Sequence, residues 1–129
     1  MTGTRAVVLV ADDDPSVREL VADLLQREGY DVLSASDGHE ALELVRTYPG
    51  TLHLVITDID MPLIDGTDLC FHLLAERPGI RVLMMSGDPR REAGLPKLAV
   101  PFLPKPFDGQ TLRARVNALL TSPPAGGPS

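Results

Sequence analysis

Short apolar runs alternate along the chain with segments whose apolar residues recur every three or four positions. AVVLVA (Ala6 to Ala11) is continuous and β-branched, the pattern of a strand buried on both faces. Asp14 and Pro15 then read as an N-cap and a first helical position. Val17, Leu20, Val21, Leu24 and Leu25 follow at helical spacing, and Gly29 stands where a helix ends in a C′ residue. DVLSAS (Asp31 to Ser36) reads as a second strand and Asp37-Gly38 as a turn. Ala41, Leu42 and Val45 form one face of a second helix that stops before Pro49. LHLVIT (Leu52 to Thr57) is a third strand. A loop through Pro62 leads to Asp65-Gly66, which reads as the turn into a third helix from Thr67 to Glu76. Leu69, Cys70, Leu73 and Leu74 point inward on that helix. IRVLMM (Ile80 to Met85) is a fourth strand. Between Ser86 and Ala99 stand Pro89, Gly94 and Pro96, so a helix there lasts a turn or two at most. VPFL (Val100 to Leu103) is a short fifth strand. Asp108 caps a last helix with Leu112, Val116, Leu119 and Leu120 on one face.

This alternation predicts an α/β fold, a doubly wound five-stranded parallel sheet with helices on both faces. A chain of 129 residues is enough for one domain with one real core. The expected domain runs from residue 5 to 120. The last residues, TSPPAGGPS, are small and rich in Pro and Gly, and predict a disordered tail over 121–129. A net charge of −6 argues against a partner read through its phosphate backbone, so no direct nucleic-acid contact is expected. Cys70 is the single cysteine, which excludes an internal disulfide and a cysteine metal cluster and suits a reducing cytoplasm. The N-terminus reaches charge too soon for a signal peptide. No stretch approaches the roughly 20 apolar residues of a membrane helix, so no membrane partner is expected.

In open parallel sheets, ligands sit beyond the carboxyl ends of the strands. Asp12, Asp13 and Asp14 follow the first strand, and Asp58 and Asp60 the third. Ser86-Gly87 follows the fourth, and Lys105-Pro106-Phe107 the fifth. Each piece has a plainer explanation when taken alone. An Asp run before a helix is a cap with favourable dipole charge, Ser-Gly is a turn, and a lysine is solvated. Together they converge on one rim. Clustered carboxylates need a cation or a proton between them. Oxygen-only ligands in a sparse site suit Mg²⁺, and an ammonium suits a phosphoryl oxygen. Metal, cation, hydroxyl donor and carboxylate nucleophile are the parts a phosphoryl transfer needs.

The pieces VLVADDDPSVREL, GYDVLSASDGHEAL, LVITDIDMPLIDG, VLMMSGDP and FLPKPF, in this order and spacing, resemble the receiver domain of bacterial two-component response regulators over residues 6–120. The resemblance implies strand order 2-1-3-4-5, the flavodoxin-like arrangement. It implies Asp58 as phosphoacceptor, with Asp12 and Asp13 as the acidic pair for Mg²⁺. Asp13 would hold the ion directly and Asp12 largely through water. Asp60 falls where the family supplies a metal ligand through its backbone carbonyl. Ser86 matches the hydroxyl that bonds a phosphoryl oxygen, Lys105 the lysine that pairs with it, and Pro106 the proline after a cis peptide bond. Phe102 takes the place of the aromatic switch residue, without the hydroxyl of a tyrosine. Asp60 and Asp88 flank the acceptor and the Ser86 loop, where they would tune loss of the phosphate.

The resemblance further implies a signalling module rather than an enzyme, catalysing only its own phosphorylation and dephosphorylation. Its partners would be a sensor histidine kinase or histidine phosphotransfer protein and an unknown downstream protein. The segment from Ser86 to Lys105 is shorter than the family's usual one and is similar to receivers attached to hybrid histidine kinases. The surface through which the family often dimerises is therefore left open. Two other functions compete: an inert receiver-like interaction module, and a haloacid-dehalogenase-type phosphatase, whose strand-loop motif VITDIDMPLIDGT also resembles. Against the phosphatase, the acidic pair stands on an earlier strand and no cap domain is present.

Overall fold

The computed structural model describes residues 5–88, 90–91 and 100–121. The elements are β1 (Val7–Ala11), α1 (Pro15–Arg27), β2 (Asp31–Ala35), α2 (Gly38–Thr47), β3 (Leu54–Asp58), α3 (Gly66–Glu76), β4 (Arg81–Ser86), β5 (Phe102–Pro104) and α4 (Gly109–Thr121). Every strand pairing is parallel and the order is β2-β1-β3-β4-β5. This is the doubly wound, flavodoxin-like sheet expected from the sequence. β1 and β3 are buried at every residue, which is why their sequences run apolar without alternation. β2 lies at an edge and exposes Asp31 and Ser34.

The two-residue period of the strands divides the core into two layers. Val8, Val10, Leu54, Ile56, Leu83, Met85 and Leu103 face Val21 and Leu25 of α1 and Leu112 and Val116 of α4. Leu9, Ala11, Val55, Val82, Met84 and Phe102 face Ala41, Leu42 and Val45 of α2 and Leu69, Cys70 and Leu73 of α3. Each large side chain buried this way contributes about 1.5–3 kcal/mol. The layers hold the sheet from both sides and leave its ends for function.

The helix starts are capped as their sequences require. Asp14 accepts from the Ser16 N–H with Pro15 at the first helical position, and Gly29 leaves α1 at φ +95°. Asp65 accepts from Asp68 N–H and Asp108 from Thr111 N–H. Asp37 is also a cap, accepting from Glu40 N–H, so Asp37-Gly38 opens α2 directly instead of forming a separate turn.

Three strands run further toward their carboxyl ends than hydropathy predicts. β3 begins at Leu54 and includes Asp58, β4 spans Arg81–Ser86, and β5 spans Phe102–Pro104. A hydropathy reading ends a strand at its last apolar residue. Ladder hydrogen bonds are made by backbone and continue past it: Ile59 N–H donates to Met85 O at 2.9 Å and Lys105 N–H to Ser86 O at 2.8 Å. Leu20 and Leu74, expected on inward faces, are 54% and 38% exposed, each at the margin of its helix's buried stripe. Thr121, assigned to the tail from sequence, is the last residue of α4. The expected broken helix between β4 and β5 falls largely on 89 and 92–99, and the tail on 122–129, all outside the described residues.

Candidate functional site

Parallel strands put all their carboxyl ends on one rim. Asp12 follows β1, Asp58 ends β3, Ser86 ends β4 and Lys105 follows β5. Asp58 and Ser86 are strand residues, so ladder hydrogen bonds fix their backbones. Asp12 is fully buried, Asp58 is 6% exposed and Ser86 1%, while Asp13 is exposed. One carboxylate oxygen from each of Asp12, Asp13 and Asp58 lies within 4.8 Å of the others.

Lys105 Nζ donates to Asp12 Oδ2 at 2.8 Å and stands 3.6 Å from Asp58 Oδ2. The other oxygen of Asp12 accepts from Asp14 N–H at 2.9 Å, and Arg18 donates to its main-chain carbonyl at 2.8 Å. Asp58 Oδ1 accepts from Asp60 N–H at 3.3 Å. The backbone of Asp58 is held from below by Gly66. A Cβ added there would sit 2.4 Å from Asp58 O, so only glycine lets the start of α3 close against the end of β3.

Burial pushes the Asp58 carboxyl up to about 6, and the nearby Asp12 charge adds to it. Lys105 and the Asp60 N–H pull the other way without cancelling the shift. Burial draws the Lys105 ammonium down, but its hydrogen bond to Asp12 and the charges of Asp58 and Asp12 outweigh this and leave it raised. Three carboxylates thus cluster, and the Lys105 ammonium pairs with two of them, Asp12 and Asp58. The donor set is all oxygen, net negative and partly open through Asp13, which fits a hard divalent cation such as Mg²⁺.

The remaining predicted residues fall around this centre. The Lys105-Pro106 bond is cis. Phe102 is 7% exposed and belongs to the core layer under α2 and α3. Asp65 caps α3 and takes no place in the carboxylate trio. The Asp60 side chain is turned to other partners: Oδ2 accepts from Ser86 Oγ at 2.9 Å and Oδ1 from Arg91 Nε at 2.9 Å. Asp88 N–H donates to Ser86 Oγ at 3.0 Å. Arg18 and Arg91 were not singled out from sequence. The only signal for Arg91 was a pair of arginines just beyond the Ser86 turn.

Residues 8–117 match the family profile described as response regulator receiver domain. The alkaline phosphatase synthesis transcriptional regulatory protein PhoP of Bacillus subtilis (strain 168) is 34% identical over 125 residues, covering 95% of this chain and 51% of its own. Response regulator MprA of Mycobacterium sp. (strain KMS) is 39% identical over 124 residues, covering 92% and 53%. The chain therefore spans about half the length of these curated relatives. Among solved structures, the receiver domain from hybrid histidine kinase CckA superposes with a TM-score of 0.78 at 39% identity, over 90% of this chain and 100% of that one. TrrA from Thermotoga maritima, in complex with Mg²⁺-BeF, superposes with a TM-score of 0.80 at 31% identity, over 89% and 99%. With the sheet order, the rim and these matches in agreement, the chain belongs to the response regulator receiver domain family.

Proposed function

We propose that this chain is a phosphoacceptor receiver whose Asp58 takes a phosphoryl group from a phosphohistidine of a sensor kinase or phosphotransfer protein. The observation that carries the proposal is the convergence of Asp12, Asp13, Asp58, Lys105 and Ser86 at four strand ends of one sheet. Asp58 attacks phosphorus in line, its oxygen forming the new O–P bond as the P–N bond to the imidazole breaks. The imidazole leaves as a neutral group once protonated. Lys105 turns from the carboxylates to a phosphoryl oxygen, and its charge offsets the developing negative charge. Ser86 donates its hydroxyl proton to a second phosphoryl oxygen. Phe102 then fills the space Ser86 vacates, shifting a two-state population toward the signalling form.

Asp12, Asp13, Asp58 and the Asp60 main-chain carbonyl would hold Mg²⁺. When bound it supplies charge neutralisation between the carboxylates and the phosphoryl oxygens. Water later hydrolyses the acyl phosphate, and Asp60 and Asp88 flank its path. The receiver occupies residues 5–121, one residue beyond the sequence expectation, and acts in the cytoplasm, where kinase and ATP-derived phosphate are found. Among the described residues no helix is long and apolar enough to cross a membrane. The downstream partner is a protein that distinguishes the two conformations.

Incubation with Mg²⁺ and acetyl phosphate, read by intact mass, tests this. One phosphoryl adduct is expected, absent in Asp58→Asn and without the metal. Failure of every donor and kinase to give an adduct would sink the proposal in favour of an inert interaction module. Steady phosphate release from many unrelated esters would instead favour the phosphatase.

A further inference from the structure

The Ser86 hydroxyl is the donor that a phosphoryl group must recruit, and in this structure it is already committed. Its proton goes to Asp60 Oδ2 at 2.9 Å, and its oxygen accepts from Asp88 N–H at 3.0 Å. Asp88 O accepts from Arg91 N–H at 3.0 Å, and the Arg91 guanidinium returns to Asp60 Oδ1 through Nε at 2.9 Å, with a second contact from Nη2. Ser86, Asp88, Arg91 and Asp60 thus close a ring of hydrogen bonds. The Asp88 carboxylate reinforces the turn by accepting from Arg90 N–H at 3.0 Å.

We propose that Arg91 is a positioning residue that latches the unphosphorylated state, holding Asp60 so that its second oxygen captures the Ser86 hydroxyl. This rests on the phosphoacceptor function proposed above and adds a residue to it. A hydroxyl has one proton, so Ser86 cannot donate to Asp60 and to a phosphoryl oxygen together. Phosphorylation must therefore break the ring at Ser86. The Asp60 and Arg91 side chains are 47% and 44% exposed, so water can take the place of the guanidinium on Asp60 Oδ1 and leaves the carboxylate with the Ser86 hydroxyl as its one remaining side-chain partner among the described residues. Without Arg91, Asp60 rotates into water and Ser86 is released in advance. The ring also ties the turn after β4 to the state of the hydroxyl, because Asp88 N–H rests on the same oxygen.

The test is a double-mutant cycle on the full chain with Arg91→Ala and Asp60→Ala, the latter keeping the main-chain carbonyl. In metal-free, unphosphorylated protein, Hα–Hβ couplings of Ser86 should report one χ1 rotamer in the wild type and averaging in both single variants. With Mg²⁺ present, Arg91→Ala should tighten beryllofluoride binding about fivefold, the scale of one exposed charge-assisted hydrogen bond. It should add nothing in the Asp60→Ala background. An averaged Ser86 in the wild type, or an Arg91→Ala effect that persists without the Asp60 carboxylate, would overturn the latch. If no variant binds beryllofluoride, the phosphoacceptor function fails, and the rotamer measurement alone decides the latch.

Discussion

The Asp58 carboxyl titrates at about 6 because β3 carries it below the surface before the chain turns. The folded state therefore holds this proton more tightly than the unfolded chain, whose carboxyl keeps its ordinary value. Stability from the protonated form is complete at pH below that ordinary value and is lost as pH rises through about 6. An Asp58→Asn variant has no buried charge to create. In EDTA it should match the wild type near pH 4 and exceed it at pH 8 by about 1–3 kcal/mol, by urea denaturation. A gap that does not change with pH would refute the assignment. Lys105 gives a second prediction with opposite signs on two readouts. Lys105→Met leaves three carboxylates without their ammonium. Mg²⁺ should bind tighter by up to about tenfold, while acetyl phosphate uptake should fall at least about tenfold for lack of a cation on the phosphoryl oxygen. Titration calorimetry and intact mass would separate these, and a parallel loss of both would contradict the proposed role. These side chains were legible in the sequence because each stands at a strand's carboxyl end, where the fold class puts ligands. The ring through Arg91 was not. It joins residues 26 and 31 positions apart through side-chain hydrogen bonds that no periodicity announces.

Elements show the same division between what pattern reveals and what geometry adds. Four strands were visible as apolar runs and β2 as a shorter, partly polar one, and two helix starts as an Asp cap, Asp14 and Asp108; Asp37 and Asp65 read as turns and prove to cap α2 and α3. The ends of β3, β4 and β5 were misplaced because Asp58, Ser86 and Pro104 break the apolar run while the strands continue. The close approach of α3 to β3 was equally hidden, since it needs three-dimensional contact to show. It yields a sharp contrast between two glycines. Gly66→Ala puts a Cβ against Asp58 O and 2.8 Å from Ile59 Cα, both backbone atoms that cannot step aside. The start of α3 must retreat, at a cost of about 1–3 kcal/mol, and beryllofluoride binding should be lost with it. Gly29→Ala meets nothing within 4 Å but must hold φ +95°. Its cost should be similar in size, about 1–2 kcal/mol, yet beryllofluoride affinity should stay within about twofold because the strain lies at the far end of α1. Equal effects on affinity from the two variants would show that global loosening, and not the α3 approach, controls the geometry at Asp58.

Across the molecule, the sheet separates chemistry from support by direction. Its carboxyl end gathers charges that repel one another, a burden the two core layers must carry. Its amino end is stitched by polar side chains bonded to main-chain groups. Arg77, the residue after α3, donates from Nε and Nη2 to Val45 O, from Nη2 to Tyr48 O, and from Nη1 to Gly50 O, tying α3 to the end of α2. His53 Nδ1 accepts from Val7 N–H at 2.9 Å, fixing the start of β1 beside β3. The two ends should therefore respond to mutation independently. Arg77→Ala leaves three carbonyls without their donor and should cost about 2–3 kcal/mol, lowering the midpoint of thermal unfolding by about 8–15 °C. Mg²⁺ affinity at 25 °C should stay within about twofold. Asp13→Asn should do the reverse, because Asp13 is exposed and supports no packing. Metal-free unfolding should shift by about 0.5 kcal/mol or less, while Mg²⁺ affinity falls about tenfold or more on loss of one of three charged ligands. The stabilisation that saturating Mg²⁺ gives by mass action should shrink with it. Calorimetric scans of both variants with and without the ion would measure all four quantities. If Arg77→Ala weakened Mg²⁺ binding as strongly as Asp13→Asn, the amino end of the sheet would be part of the site and the separation by direction would fail.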